Sequence, residues 1–412
     1  METGAIGKRV RYWRDRRGLT RRHFADLVGR SSSWVDKIES GERHLDRLSV
    51  LDQVANALNV PLQVLLDDDA FRLRAQCVDA PEAAAIRMAL QQWTPAAGPP
   101  HPATDTAATA REPELRRLRR QVTYAWLAFQ SANYATLGSL LAALVTDTQH
   151  ARDTLVGDDA ATATAMLAQV YQIITSTVRK LGHVDLEWVA ADRAMRCAEQ
   201  IGDVTLYGGA AFRLVNAIRD NNGAPAAVTA TRATADHLRH HGKPATTPQA
   251  RSLYGHLMLQ GAMAAAAADD ASSVAELLRE AEHTAEMLGT DRNDFYTAFG
   301  PTNVTIHEVA ALVELREWRP ALAVTERLSR DRLAALPKER RANHLLDLAR
   351  AHSLGGHRDE ATWSLLEADA LAPNEIRCRP VARDLVADLV RRSRTRPSFD
   401  LQRLAARVGV PA

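Results

Sequence analysis

Cysteine is scarce in this chain. There are three in 412 residues, Cys77, Cys197 and Cys378, odd in number and far apart. That argues against a disulfide framework and against a CxxC metal knuckle, and it fits a reducing compartment. The three are expected to be buried small apolar residues. An excess of one charge is also missing: 52 Lys and Arg stand against 50 Asp and Glu, a net of +2. A uniformly basic coat or a polyanionic tail is thereby excluded, so any basic site must be local. No apolar run approaches the roughly 20 residues of a membrane helix, and Met1 to Val10 hold no signal-peptide core. A cytoplasmic protein is expected. Aromatic residues make up only 5% of the chain, and alternating β-branched runs are nearly absent, which leaves little to build a sheet from. What remains is Ala, Leu, Arg and Glu, all good helix formers, with apolar positions recurring at i, i+3 and i+4. The expected fold class is all-α. With 46% hydrophobic and 25% charged residues, the chain can bury a core.

Catalytic signatures are missing too. The chain holds no GxxxxGKS/T phosphate loop, no HExxH and no GxSxG. His237 and His241 stand four apart with His240 between them, but no carboxylate or Cys completes a tetrahedral set. No enzyme activity, cofactor or metal is expected.

Composition divides the chain into three. Residues 1–69 read as short helices broken by tight turns. Residues 70–113 read as a connecting helix, about Phe71 to Trp93, and a Pro/Ala/Thr linker running to Pro113, too proline-rich for a helix. Residues 114–412 return to helix after helix. Turn signals there (Leu181-Gly182, Ile201-Gly202, Asn222-Gly223, His241-Gly242, Leu288-Gly289, Gly355-Gly356) fall about 20 residues apart, so a helix hairpin would repeat every 40 or so.

Within the first region, Leu19 to Arg43 read as helix, turn, helix. Thr20 suits the N-cap of a helix through Val28, with Phe24, Leu27 and Val28 on its inward face. Gly29 ends it, and Ser31 caps a second helix, Ser32 to Ser40, with Val35 and Ile38 inward and Gly41 closing. A first helix, Ala5 to Arg17, turns Ile6, Val10 and Trp13 inward. A fourth carries Leu48, Leu51, Val54, Ala55 and Leu58, and Pro61 starts a short fifth. Residues 1–47 hold 12 Lys and Arg against 7 Asp and Glu, a local +5. Affinity for a polyanion at this end should fall steeply with salt. For Lys8, Arg9, Arg11, Arg16 and Arg17 a plain solvated face is an equal reading.

The run Leu19-Thr20, Phe24-Ala25, Val28-Gly29, Ser31, Val35, Ile38-Glu39, Gly41 and Asn59-Val60-Pro61 resembles the lambda-repressor-like, Cro/Xre-type helix-turn-helix family. The resemblance implies double-stranded DNA as partner, with base-facing positions at Ser32, Ser33, Asp36 and Lys37 beside the capping Ser31. Lys37 can donate to guanine O6 and N7, whereas the serines discriminate weakly. Asp36 either accepts from cytosine or pairs with Lys37 or Arg43. Trp34 either packs against the domain or meets sugar and a thymine methyl. Arg21 and Arg43 are placed for phosphates. The resemblance also implies a structural pair, Arg14 with Glu39. Direct readout looks thin, which shifts weight to dimer spacing and DNA shape.

The last repeat is the most legible in the third region. Leu345, Leu348, Ala349 and His352 line one helix, Gly355-Gly356 turns the chain, and Ala361, Leu365 and Ala368 line the next until Pro373. The spacing resembles tetratricopeptide repeats. Ala190, Ala194 and Ala198 form a more degenerate stripe, as does Ala321 with Leu322 and Leu328. Such a solenoid offers a concave groove for an effector. The candidates are Arg213, Asn216, Arg251, Tyr254, Phe299, Asn303 and His307. Phe299, Asn303 and His307 are taken as one stripe at i, i+4, i+8, although Asn303 can instead cap a helix after Pro301 and His307 can be a core histidine. Helix-turn-helix followed by such repeats is similar to peptide-responsive regulators of Firmicutes and to a large group of actinobacterial regulators. It implies a homodimeric transcription regulator sensing a peptide or small molecule. The alternative is a scaffold whose repeats dock a protein partner while the DNA head only localises it.

Overall fold

The computed structural model describes residues 3–17, 19–68, 71, 80–92, 108–241, 247–393 and 397–410. Among them no strand occurs, and no helix is long and apolar enough to cross a membrane. The chain divides into two compact units, Met1–Ala83 and Ala84–Ala412.

In the first unit, helices span Thr3–Arg16, Arg21–Leu27, Ser32–Ser40, Leu48–Ala57 and Leu62–Leu66. The cap chemistry read from the sequence is present. Thr20 Oγ1 accepts from the His23 amide and Ser31 Oγ from the Trp34 amide, each at 3.2 Å. Gly29 and Gly41 take left-handed φ of 61° and 83°, which a Cβ would disfavour. Val10, Trp13, Phe24, Ala25, Val35, Ile38, Val54 and Leu65 form the centre of one core. Leu27 and Leu48, expected inward, are exposed. The short second helix packs through Phe24, Ala25 and Val28, and Leu27 falls about 100° round from the middle of that stripe.

Three of the arginines that could have formed a solvated face hold the unit together instead. Arg9 donates to Leu65 O and pairs with Asp68. Arg16 pairs with Glu82. Arg17 donates to Leu58 O at 3.0 Å, its guanidinium 5.0 Å from the Trp13 ring. Lys8 and Arg11 stay exposed.

The second unit is a helical array. Its helices pair as Ala108–Gln130 with Tyr134–Thr154, Gly157–Lys180 with Val184–Ile201, and Val204–Asp220 with Ala224–His241. Pro248–Ala267 pairs with Ala271–Leu288, Pro301–Glu314 with Trp318–Thr325, and Lys338–Leu354 with Arg358–Leu371. Every pair turns through three residues with the middle one left-handed: Ala132, Gly182, Asn222, Asp269, Arg316 and Gly356. These turns recur about every 40 to 50 residues, so the array is a repeat of helix hairpins. The Ala190, Ala194 and Ala198 stripe is fully buried, as are Ala361, Leu365 and Ala368. Helix Pro248–Ala267 is buried almost all round and sits at the centre of a core that includes Leu253, Leu257, Ala265, Leu277 and Phe299.

One expectation changes here. The helix beginning at Ala108 takes in Pro113, so the final residues assigned to the linker are helical. Cys378 is half-buried, Cys197 is a free buried thiol, and Cys77 lies outside the described residues.

The first and last parts of the array touch. Asn374 Nδ2 donates to Ala132 O, and the Tyr134 hydroxyl bonds Glu375. Lys180 Nζ joins Glu339 and, at 3.0 Å, Glu375. A Cβ on Gly182 would stand 2.8 Å from Pro380 Cγ. The array therefore curls until its first and last helices meet beside a polar interior.

Candidate nucleic-acid interface and effector cavity

The helix Ser32–Ser40 has two faces. Trp34, Val35, Ile38 and Glu39 are buried, while Ser31, Ser32, Ser33, Asp36 and Lys37 are exposed. Trp34 therefore packs against the unit, with the Arg30 guanidinium 5.7 Å from its ring. What fixes this helix is Glu39, whose side chain is only 1% exposed. Arg14 grips it with two nitrogens, Nε to Oε1 at 2.5 Å and Nη2 to Oε2 at 3.1 Å, and also donates to Leu19 O at 2.8 Å. Burial pushes the Glu39 carboxyl up, but hydrogen bonds from Arg14 and Arg21 outweigh it and hold the group below its usual range. The Glu39 bond likewise raises Arg14. Ionised and paired throughout the neutral range, this clamp positions the helix and reads nothing.

Arg21 is drawn into the clamp, Nε to Glu39 Oε2 at 2.9 Å and Nη2 to Asp36 at 3.4 Å. Asp36 thus pairs with Arg21 rather than with Lys37 or Arg43. Lys37 and Arg43 are exposed and make no ion pair among the described residues. The Arg43 amide donates to Lys37 O at 2.8 Å, which ties the start of the following loop to the helix. The exposed face of this helix therefore presents the Ser31, Ser32 and Ser33 hydroxyls at its N-terminal end and the Lys37 ammonium in its last turn, with Arg43 beyond its C-terminus.

The effector candidates separate into different places. Arg213 and Asn216 line a cavity of about 90 Å³ with Phe129, Ser176, His256, Tyr296 and Arg340. His307 lines a larger one of about 320 Å³. The two share Arg179, Gln260, Arg340, Asn343 and Arg379 as walls. Tyr254 belongs to a different cavity and bonds Glu280 at 3.0 Å. The Arg251 Nη1 faces Met287 O at 3.4 Å.

Phe299 and Asn303 are fully buried. Phe299 is not on the helix at all, because the helix begins at Pro301 after an extended Gly300, so the supposed stripe of three breaks. Its ring occupies the place of a Gly255 Cβ, which would lie 1.9 Å away. Asn303 does not cap: Asp291 takes that task through the Thr302 amide at 2.9 Å, and Asn303 Nδ2 faces Thr297 O at 3.3 Å.

The Arg213 guanidinium is the least expected feature. It is 4% exposed and has no carboxylate within salt-bridge range. It donates to Ser176 Oγ at 3.0 Å, Gln172 Oε1 at 3.2 Å and Gly209 O at 2.7 Å. It lies 4.2 Å from the Phe212 ring and 4.7 Å from that of Trp126. Burial alone pulls its pKa down to about 9. Nearby, Gln260 Nε2 reaches both His256 Nε2 at 3.3 Å and His307 Nε2 at 3.2 Å. His307 Nδ1 bonds Asn303 O at 2.9 Å. Burial lowers both imidazoles, His307 to about 3, with Arg340 adding to it. Both are therefore neutral at pH 7. With Nε2 accepting, the His256 proton sits on Nδ1, which has no partner. Asn216 Oδ1 and Arg340 Nε are also buried without one.

Sequence reasoning missed Gln172, Ser176, His256, Gln260 and Arg340. The available signal was polar residues on helices otherwise apolar all round, such as Gln172 and Ser176 within Leu167 to Val178. Buried polar groups on such a helix need a partner or a ligand.

The first unit's geometry defines the class: a helix-turn-helix DNA-binding domain at the head of a DNA-binding transcription regulator with helical repeats. Residues 5–68 match the family model described as a helix-turn-helix domain. No curated protein matches the chain. Among solved structures it is similar to Bacillus thuringiensis PlcR in complex with the peptide PapR7 and DNA, at 11% identity and a TM-score of 0.25, covering 90% of this chain and 99% of that one. At that score the repeat arrangement is read from this chain alone.

Proposed function

We propose that the chain is a homodimeric regulator whose recognition helix Ser32–Ser40 reads duplex DNA and whose repeat unit senses an effector in its polar interior. The observation that carries the DNA part is the split of that helix into an anchored face (Trp34, Val35, Ile38 and Glu39) and an exposed face (Ser31, Ser32, Ser33, Asp36 and Lys37). One such helix spans only a few base pairs, and serines discriminate weakly, so two heads at a fixed spacing supply the remaining specificity. The sensing part rests on the cavity that holds Arg213, Asn216 and His256. An effector shifts DNA affinity only by its differential affinity for two arrangements of the dimer.

Lys37 and Arg43 have separable roles. Lys37→Ala is expected to lower the ratio of cognate to scrambled duplex affinity by about tenfold, a contact to a base edge being lost. Arg43→Ala is expected to weaken both duplexes equally and to reduce the salt slope by about one. Gel shifts at several salt concentrations separate the two. Equal losses from both variants on both duplexes would remove the assignment. Sedimentation of the intact chain tests the dimer.

A further inference from the structure

We propose that the smaller cavity of the repeat unit receives a carboxylate that carries an adjacent N–H or O–H donor. The C-terminal residue of a peptide or a free α-amino or α-hydroxy acid would supply it. This deepens the sensing half of the proposed function and rests on it.

The cavity wall carries unspent polar capacity. Most charges around it are closely paired. Arg179 binds Asp220 at 2.7 Å, Arg379 binds Glu375 at 2.9 Å, and Lys180 binds Glu339 and Glu375. Two guanidiniums keep capacity to spare. Arg213 has only neutral acceptors among the described residues. Arg340 makes one long ion pair, Nε to Glu339 at 4.0 Å, and that Nε has no hydrogen-bond partner. To these the His256 Nδ1–H adds a third unspent donor, on a side chain 3% exposed. Against the three donors stands one orphaned acceptor, Asn216 Oδ1, on a residue 6% exposed.

An apolar ligand would leave all four unsatisfied, at a cost of several hydrogen bonds. A cation would meet Arg213 and Arg340. A sulfate or a phosphodiester offers only acceptors and leaves Asn216 unmatched. A carboxylate takes the guanidinium and imidazole donors, and a donor on its neighbouring atom serves Asn216. A volume of about 90 Å³ suits that one group, while the adjoining 320 Å³ can hold the rest of the molecule. One wall is also locally strained. Tyr296, stacked on Trp126 with centroids 4.6 Å apart, sits in a stretch where Phe295, Tyr296 and Ala298 all have positive φ. Such conformations cost about 1–3 kcal/mol each and cluster at ligand clamps.

The test uses the full chain and four probes at millimolar concentration. They are N-acetyl-glycylglycine, its C-terminal amide, free glycine and inorganic sulfate. The expected result is a rise in melting temperature with a carboxylate probe and none with the amide or with sulfate. A response to acetyl-glycylglycine alone identifies a peptide end, and a response to glycine identifies a free amino acid. Arg340→Gln, at a partly open position, is expected to melt like the parent and to weaken the responding probe about tenfold or more, one charge-assisted bond being lost. Arg213→Gln is the second variant should Arg340→Gln not fold. Stabilisation by the amide or by sulfate equal to that by the acid, an undiminished response in Arg340→Gln, or no response to any probe would overturn the assignment. Gel shifts on the same preparation keep the failures apart, since a chain that binds DNA but no probe loses only this inference.

Discussion

A Gly7→Ala chain is expected to bind duplex DNA about a hundredfold more weakly than the parent, or not at all, with the melting of its repeat unit unchanged. Gly7 lies in the first helix, where that helix crosses the end of the recognition helix. A Cβ there would stand 2.1 Å from Ile38 O and 3.1 Å from Ile38 C. Both are backbone atoms, so no rotamer change relieves the clash, and the two helices must separate. They are held together just beyond that point by Trp13 and Ile38 in the core and by the Arg14–Glu39 clamp. Overpacking of this kind costs about 1–3 kcal/mol, sometimes more. A unit this small has little stability to lose. A slight tilt also moves Ser32, Ser33 and Lys37 off the groove without unfolding anything. Gel shifts together with two-transition melting curves decide the matter, and Lys8→Ala, at the exposed neighbour, serves as control. A Gly7→Ala chain binding within threefold of the parent would mean that the crossing adjusts freely.

Gly7 also shows where the sequence stops being informative. Caps and stops are local chemistry, so Thr20, Ser31, Gly29 and Gly41 could be read in order, and the periodicity of Val10, Trp13, Val35 and Ile38 named the inward faces. Which faces meet is another matter. A glycine within a helix looks like a propensity defect until the carbonyl of Ile38 is known to lie above it. The repeats are similar. The middle of each three-residue turn is left-handed, but Ala132, Asp269 and Arg316 fill it as well as glycine or asparagine, so half of the turns gave no glycine signal.

The cavity was the least legible part. Gln172, Arg213, His256 and Arg340 come from four helices, and nothing in the spacing of any one of them points to the others. The three-residue stripe did look like a site, but it depended on Phe299 being helical. Proline at position 301 starts the helix, and Phe299 became core. Arg213 and Asn216 interrupt an apolar run, and that criterion applied to every helix would have found His256 and Gln260.

Glu187→Gln is expected to stabilise the repeat unit at alkaline pH and to leave it unchanged near pH 5. Glu187 is fully buried, and neither carboxylate oxygen has a hydrogen-bond partner. Burial raises its pKa from 4.5 to about 8. The nearest cation, Arg179, stands 3.6 Å away but is already committed to Asp220 at 2.7 Å. Between pH 4.5 and 8 the folded chain therefore keeps a proton that the unfolded chain has released, and stability falls as pH rises through that window. Above pH 8 the carboxylate is ionised in both states and the loss is complete, at most roughly 5 kcal/mol. Glutamine keeps the volume and has no proton to lose, so the two melting curves should coincide at pH 5. They should separate by about 5 °C or more at pH 9, given that 1 kcal/mol shifts a domain of this size by about 2 °C. Calorimetry at the two pH values checks this. Equal separation at both would mean that Glu187 is ionised throughout and that Arg179 divides its charge between two acids.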